Sequence, residues 1–231
     1  SYGGQFGIRR STNARKSTRR EKIIMSIFIT FEGGEGSGKS SALRLINERL
    51  IQSGAQTVLT REPGGTPISE EIRNIILDRK NTDMDPRTEA LLYAASRRQH
   101  LAQKIWPALK EGKIVLCDRY LDSSLAYQGG ARGIALKDVL DINMFATEGT
   151  FPDLTLLFDI EPEKGLARIA ANQNREVNRL DLEKLDFHHR VRQAFLDLAK
   201  KYADRYVIID ASQPLNKVVD DAYAAIQERL K

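Results

Sequence analysis

The residues Gly33-Gly34-Glu35-Gly36-Ser37-Gly38-Lys39-Ser40 have the types and spacing of a phosphate cradle, G-x-x-x-x-G-K-[ST]. Glycines let the backbone turn tightly, so that successive N–H groups converge on phosphate oxygens. A helix that begins near Lys39 aims its positive end at the same place. Lys39 supplies a charge for the β- and γ-phosphates, and Ser40 a hydroxyl for Mg²⁺. The competing reading is a Gly-rich turn. An apolar strand before the motif and an amphipathic helix after it argue for the cradle, and so for a nucleoside triphosphate. A GTPase would carry N-K-x-D, yet the Asn216-Lys217 pair is followed by Val218-Val219. No L-S-G-G-Q segment of the transporter ATPases is present. Small-molecule kinases and smaller ATPases remain.

Three further clusters carry chemistry. Leu116-Cys117-Asp118-Arg119-Tyr120 closes an apolar run. If that strand neighbours the first, Asp118 and Arg119 face the cradle across about 5 Å of sheet spacing. There Arg119 can fork onto phosphate oxygens, and Asp118 can hold a Mg²⁺-bound water or orient the arginine. A strand-end salt bridge is the alternative. Thr60-Arg61-Glu62-Pro63-Gly64-Gly65-Thr66 follows the second strand, and Arg61 is a phosphate candidate in what is otherwise a βα turn. In a helix over Pro86–Lys110, Glu89, Tyr93, Arg97 and His100 share one face by spacing, with Leu91, Ala95, Ala102, Ile105 and Leu109 on another. The apolar set is expected to face the core. The polar set is either solvated or a nucleobase site, where Tyr93 stacks and Arg97 donates to a ring oxygen.

These groups need a scaffold that gathers strand ends. Near-continuous apolar runs at Ile27–Phe31, Thr57–Thr60, Ile114–Asp118, Leu154–Asp159 and Tyr206–Asp210 predict parallel strands buried on both faces. Helical stretches are expected near 39–53, 69–78, 87–110, 136–147, 163–172, 180–202 and 215–230. The alternation predicts a doubly wound α/β sheet with ligands at the strand C-termini. The 231 residues are 41% hydrophobic and 29% charged, ordinary globular composition with no apolar run of membrane-spanning length. Cys117 is the one cysteine, which fits a reducing compartment and a cytoplasmic protein. The net charge of +5 misleads, because residues 1–24 hold seven Lys or Arg against one acid and the remainder is near neutral. No nucleic-acid partner is therefore expected for the body. Residues 1–24 read as a disordered basic tail, either a tag or an upstream extension, with 25–231 as one folded domain. A transit peptide or a nucleic-acid-binding arm is the other reading of the tail.

The stretches FITFEGGEGSGKS, TREPGGT, TEALLYAASRRQHL, VLCDRYLDSSLAYQG, FPDLTLLFD and NRLD together resemble the bacterial thymidylate kinases of Gram-positive type. The resemblance covers about nine-tenths of the sequence, from Met25 onward. It implies a P-loop NTPase fold with five parallel strands and helices on both faces. It also implies a homodimer, and transfer of the ATP γ-phosphate to dTMP, giving dTDP for dTTP synthesis. In such kinases Glu35 lies near the metal and the acceptor sugar, Arg119 binds the acceptor phosphate, and Arg73 matches a basic position near it. Arg97 meets the thymine carbonyl, Ser124 and Gln128 lie along the base, and Tyr127 stands where a ribose 2′-hydroxyl would sit. Tyr93 occupies a stacking position that is often Phe.

A phosphate monoester with a second pKa of about 6 is already a dianionic nucleophile at neutral pH, so no general base is needed. Cations are needed, because two anions must meet. The cradle has no Arg before Lys39, and the missing charge is expected from a lid at about 172–181, through Arg175 or Arg179. Arg175 and Arg179 are four apart and are expected to point the same way. His188-His189 lacks partners at metal-ligand spacing, and Cys117 reads as a buried strand residue. The rivals are another nucleoside monophosphate or deoxynucleoside kinase and, from a different class, a P-loop ATPase with a nucleic-acid-binding tail.

Overall fold

The structure is a computed structural model that describes residues 26–231. The expectations for the basic tail lie outside the described residues. Five strands, β1 Ile27–Glu32, β2 Thr57–Arg61, β3 Ile114–Asp118, β4 Leu154–Asp159 and β5 Tyr206–Asp210, form one parallel sheet in the order β2-β3-β1-β4-β5. The order reverses beside β1, which puts the crevice between β1 and β3 where ligands of such sheets bind. Phe31 pairs with Asp118, so β3 does neighbour β1 and its end opens beside the cradle.

The sheet carries cores on both faces, as its near-continuous apolar strands require. Ile27, Ile29 and Phe31 alternate onto the face covered by helices α1 (Lys39–Gln52) and α9 (Leu215–Arg229). Phe28 points to the other face, packed by α8 (Leu185–Lys201) through Val191 and Phe195. Thr30 and Glu32 share that second face by the strand period. Thr30 meets Thr155 of β4 there at 2.9 Å.

Helices α2 (Pro67–Leu77) and α3 (Pro86–His100) begin with Pro after Thr66 and Asp85, whose side chains cap the free N–H groups. The expected helix 87–110 is not uniform: α3 passes through a π-helical turn, Leu101–Ile105, into α4 (Trp106–Lys110). The apolar face assigned to it needs correction. Leu91 is 56% exposed, and Ala95 and Ala102 are exposed, while Glu89, Tyr93, Arg97 and His100 are buried. The polar face turns inward because each of its charges meets a partner inside. The sequence reading gives no element to 121–131, where α5 (Leu121–Ser124) runs into a second π-helical segment, Leu125–Ala131. Nearly every residue there is buried, so no amphipathic period marks it. Helices α6 (Leu136–Thr147) and α7 (Pro162–Ala171) complete the layers, and α7 leads into the segment that precedes a short 3₁₀ turn, Arg179–Leu182.

Candidate active site

The cradle leaves β1 and turns at glycines with positive φ before α1 starts at Lys39. Gly36, at φ 72°, lies against the backbone of Gly165 in α7, where a Cβ on either residue would collide. That close approach ties α7, and the segment behind it, to the cradle. Lys39 is buried and lies 4.0 Å from Asp118 Oδ1. Burial, and then Arg119, push its ammonium below the usual lysine range. A dianionic phosphate would reverse that pressure. Ser40 Oγ donates to Asp118 Oδ2 at 3.1 Å, and buried Asp118 Oδ1 has no hydrogen-bond partner. A hydroxyl beside an under-used carboxylate oxygen is a hard oxygen donor set, which fits Mg²⁺. Glu35 is already occupied on both oxygens and is the weaker metal candidate of the three.

Arg119 adopts a left-handed backbone, φ 66°, at the end of β3. Its Nη1 donates to the Gly33 carbonyl at 2.8 Å and to Ser123 Oγ at 3.3 Å, and its Nη2 to Glu35 Oε1 at 3.3 Å. The guanidinium lies 5.1 Å over the Tyr127 ring, whose hydroxyl donates to Glu35 Oε1 at 2.9 Å. Burial opposes the charge on Arg119, but Tyr127, Glu35 and Asp118 outweigh it and raise its pKa. Glu35 is likewise penalised by burial, yet Arg119, Lys39, Tyr127 and Arg175 hold its carboxyl below the usual range. Arg175 reaches Glu35 Oε2 at 3.3 Å and Asp181 Oδ2 at 2.8 Å.

The expectation that Arg175 and Arg179 point the same way fails. Arg179 is buried, donates to the Ile76 carbonyl at 2.7 Å and pairs with Glu89. It does not line the cleft, whereas Arg175 does. Asn178 caps the 3₁₀ turn and fixes this divergence.

A cleft of about 360 Å³ joins the cradle to the second strand's loop. Lys39, Asp118, Arg119, Arg61, Arg73 and Tyr93 line it. Arg73 donates to the Pro63 carbonyl at 2.9 Å across a cis Glu62–Pro63 bond, and Arg61 pairs with Glu70 at 3.0 Å. Arg97, Ser124 and Gln128 lie behind the cleft surface, each 1% exposed. All three nitrogens of Arg97 are engaged: Nε meets Glu62 at 2.7 Å, Nη1 meets Ser124 at 3.0 Å and Asn143 at 2.5 Å, and Nη2 meets the Tyr120 carbonyl at 3.1 Å. Gln128 Nε2 donates to Glu89 at 3.0 Å, which leaves its buried Oε1 without a partner. An orphaned buried acceptor suits an N–H donor.

Sequence reasoning missed two members of this set and the role of a third. Glu62 joins Arg97 and His100, the latter at 2.7 Å, and a Glu inside a Pro-Gly-Gly loop was its only signal. Glu89 was placed on the right face, but as the hub for Arg132, Arg179 and Gln128 it had no signal. Asn143 of α6 had none either.

Lys39, Arg61, Arg73 and Arg119 thus line one cleft with a buried polar wall behind it, an arrangement that suits chemistry between anions. The family model for thymidylate kinase matches residues 31–222. The chain belongs to the thymidylate kinase family. With it comes membership of the nucleoside monophosphate kinases. The chain is 59% identical over 203 residues to thymidylate kinase of Halalkalibacterium halodurans, spanning 88% of this chain and 97% of that one. It is 55% identical over 208 residues to thymidylate kinase of Bacillus velezensis, spanning 90% and 98%. The crystal structure of thymidylate kinase from Ehrlichia chaffeensis superposes with a TM-score of 0.71 at 34% identity, covering 88% of this chain and 99% of that chain. Among the described residues, no helix is long and apolar enough to cross a membrane.

Proposed function

We propose that the chain transfers the γ-phosphate of Mg²⁺-bound ATP to the phosphate of dTMP, giving dTDP and ADP. The observation that carries this reading is that Arg119 and Arg73 line the same cleft as the P-loop lysine Lys39. The backbone of Gly33–Ser40 and the start of α1 hold the donor phosphates, and Lys39 adds charge at their β- and γ-oxygens. Mg²⁺ held by Ser40 and Asp118 would draw off negative charge from the donor phosphates. Arg119 and Arg73 receive the acceptor phosphate, with Arg61 at the rim. Such a phosphate needs no base to be deprotonated, so positioning and charge are the residues' whole task. Tyr93 covers the base while Arg97, Ser124 and Gln128 form the wall behind it. The Tyr127 ring and hydroxyl, fixed on Glu35, fill the room of a ribose 2′-hydroxyl.

Residues 172–181 act as the lid. Arg175 is its working cation, moving from Glu35 to the transferring phosphate on closure, and Arg179 anchors the lid to Glu89. The exposed apolar side chains Leu91 of α3 and Met144 and Phe145 of α6, the last 89% exposed, suit the contact face of a homodimer. The one thiol, buried Cys117, suits a cytoplasmic enzyme.

The test is ADP release from Mg·ATP with dTMP, dUMP, ribose TMP, dCMP, AMP and GMP as acceptors. Turnover with dTMP, with dUMP well behind and ribose TMP rejected, is expected. ADP release independent of any acceptor would overturn the reading in favour of an ATPase.

A further inference from the structure

We infer that Glu32, the last residue of β1, is the positioning residue that sets the acceptor arginine Arg119. Glu32 is fully buried and does not line the cleft. Its two oxygens hold the turn that carries Arg119. Oε1 accepts the Tyr120 backbone N–H at 2.8 Å, and Oε2 accepts the Ser123 hydroxyl at 2.5 Å. Arg119 immediately precedes Tyr120, in a left-handed conformation that a residue with a side chain adopts at a cost. Such a conformation persists only where its surroundings over-determine it. Here the Arg119 N–H is held by the Phe31 carbonyl at 2.9 Å, the next N–H by Glu32, and the start of α5 by Glu32 through Ser123.

The same contacts form a polarised chain. Arg119 Nη1 donates to Ser123 Oγ, and Ser123 passes its own proton toward Glu32. With its proton held by Glu32, Ser123 keeps its lone pairs turned toward Arg119. The competing carboxylate, Asp122, is satisfied elsewhere: Arg205 forks onto it at 2.6 and 2.9 Å and the Tyr206 hydroxyl donates at 2.7 Å. Glu35 meets the guanidinium, so Glu32 is the carboxylate left to hold the backbone of the Arg119 turn. A Gln in its place keeps the bond to Tyr120 but turns an N–H₂ toward Ser123, so the Ser123 proton loses its acceptor and the hydroxyl is no longer fixed on Arg119.

This inference rests on the proposed role of Arg119 at the acceptor phosphate, and the experiment separates the two. Steady-state kinetics with varied dTMP and varied ATP are compared for Glu32→Gln, Ser123→Ala, the double variant and Arg119→Ala, with a thermal melt of each. Glu32→Gln is expected to lower kcat/KM for dTMP about tenfold, the loss of one charge-assisted contact. KM for ATP stays within about twofold and the melting temperature does not fall, whereas a purely structural role would lower the melting temperature and spare the substrate split. Ser123→Ala gives a smaller loss of the same kind, and the double variant is no worse than Glu32→Gln, because both break one chain. Wild-type kcat/KM for dTMP in Glu32→Gln, or additive losses in the double variant, overturns the inference if Arg119→Ala still abolishes dTMP use. Undiminished dTMP use in Arg119→Ala overturns the acceptor reading itself. Should Glu32→Gln not fold, Ser123→Ala decides alone, and wild-type kinetics there overturn the inference.

Discussion

The donor and acceptor halves of the cleft are built on opposite plans. The donor half is backbone: a run of glycines, a helix start and one lysine, all contiguous in sequence. The acceptor half is side chain, and its members come from the loop after β2, from α3, from the π-helical segment after α5 and from α6. Backbone amides need no partner elsewhere in the fold to stay pointed at a phosphate. A buried guanidinium does, because an unpaired charge inside a protein is costly. The acceptor half must therefore be assembled by the whole fold, and its residues hold structure and chemistry together.

That contrast yields the largest expected effect. Glu62→Ala leaves Arg97 and His100 buried without their shared carboxylate. Breaking such a pair costs roughly 3–5 kcal/mol, enough to leave the chain marginally folded. Lys39→Ala, by contrast, removes a cation that burial already disfavours, so stability stays near wild type while turnover is lost. Urea denaturation of the two variants beside their turnover numbers is the check. Equal loss of stability in both would break the contrast.

The proposed lid repeats it within five residues. Arg175 is a half-exposed cation aimed at the cleft, and Arg179 is a buried strut on Glu89. Arg175→Ala is expected to lower kcat at least about tenfold with an unchanged melting temperature. Arg179→Ala is expected to lower stability by about 1–3 kcal/mol, the cost of removing one partner from a buried carboxylate that keeps Arg132 and Gln128. A stability loss on Arg175→Ala together with a pure kcat loss on Arg179→Ala would exchange the two roles.

The same division explains what could be read from residues alone. Each strand is found within one residue of its expected bounds, but the expected burial on both faces holds only for β1, β3 and β4; β2 and β5 are the sheet edges, and their apolar runs leave Leu59 and Ile208 exposed. The cradle is legible because its physics is local. The face of α3 is misread because Leu91 and Ala95 look like core, while Glu89 and Arg97 look like surface. Only tertiary pairing with Glu62 and Arg132 makes the polar face the buried one. The π-helical turn after His100 then shifts the phase, so that Ile105 is buried but Ala102 is not. Arg175 and Arg179 have helical spacing but not helical backbone, so the spacing rule that places them on one face has no purchase.

The smallest effect is the most diagnostic of how the halves join. Burial, followed by the charge of Asp122, pushes the Glu32 carboxyl up to about 7 from an ordinary value of 4.5. A carboxyl raised on folding binds its proton more tightly in the folded chain than in the unfolded one. Its contribution to stability is therefore greatest below about pH 4.5 and is lost as pH rises toward 7. Glu35 and Glu89, held low in the folded state, run the other way and lose their contribution as pH falls. The wild-type profile is the sum of both trends, but the difference between wild type and Glu32→Gln isolates one. Glu32→Gln is expected to gain on wild type by about 3 kcal/mol between about pH 5 and pH 8, measured by denaturant unfolding at each pH. A difference that stays flat would mean that the Arg119 turn already shares its charge fully with Glu32. A growing one would mean that this carboxylate is kept against its own preference, and what it supplies in return is the setting of Arg119.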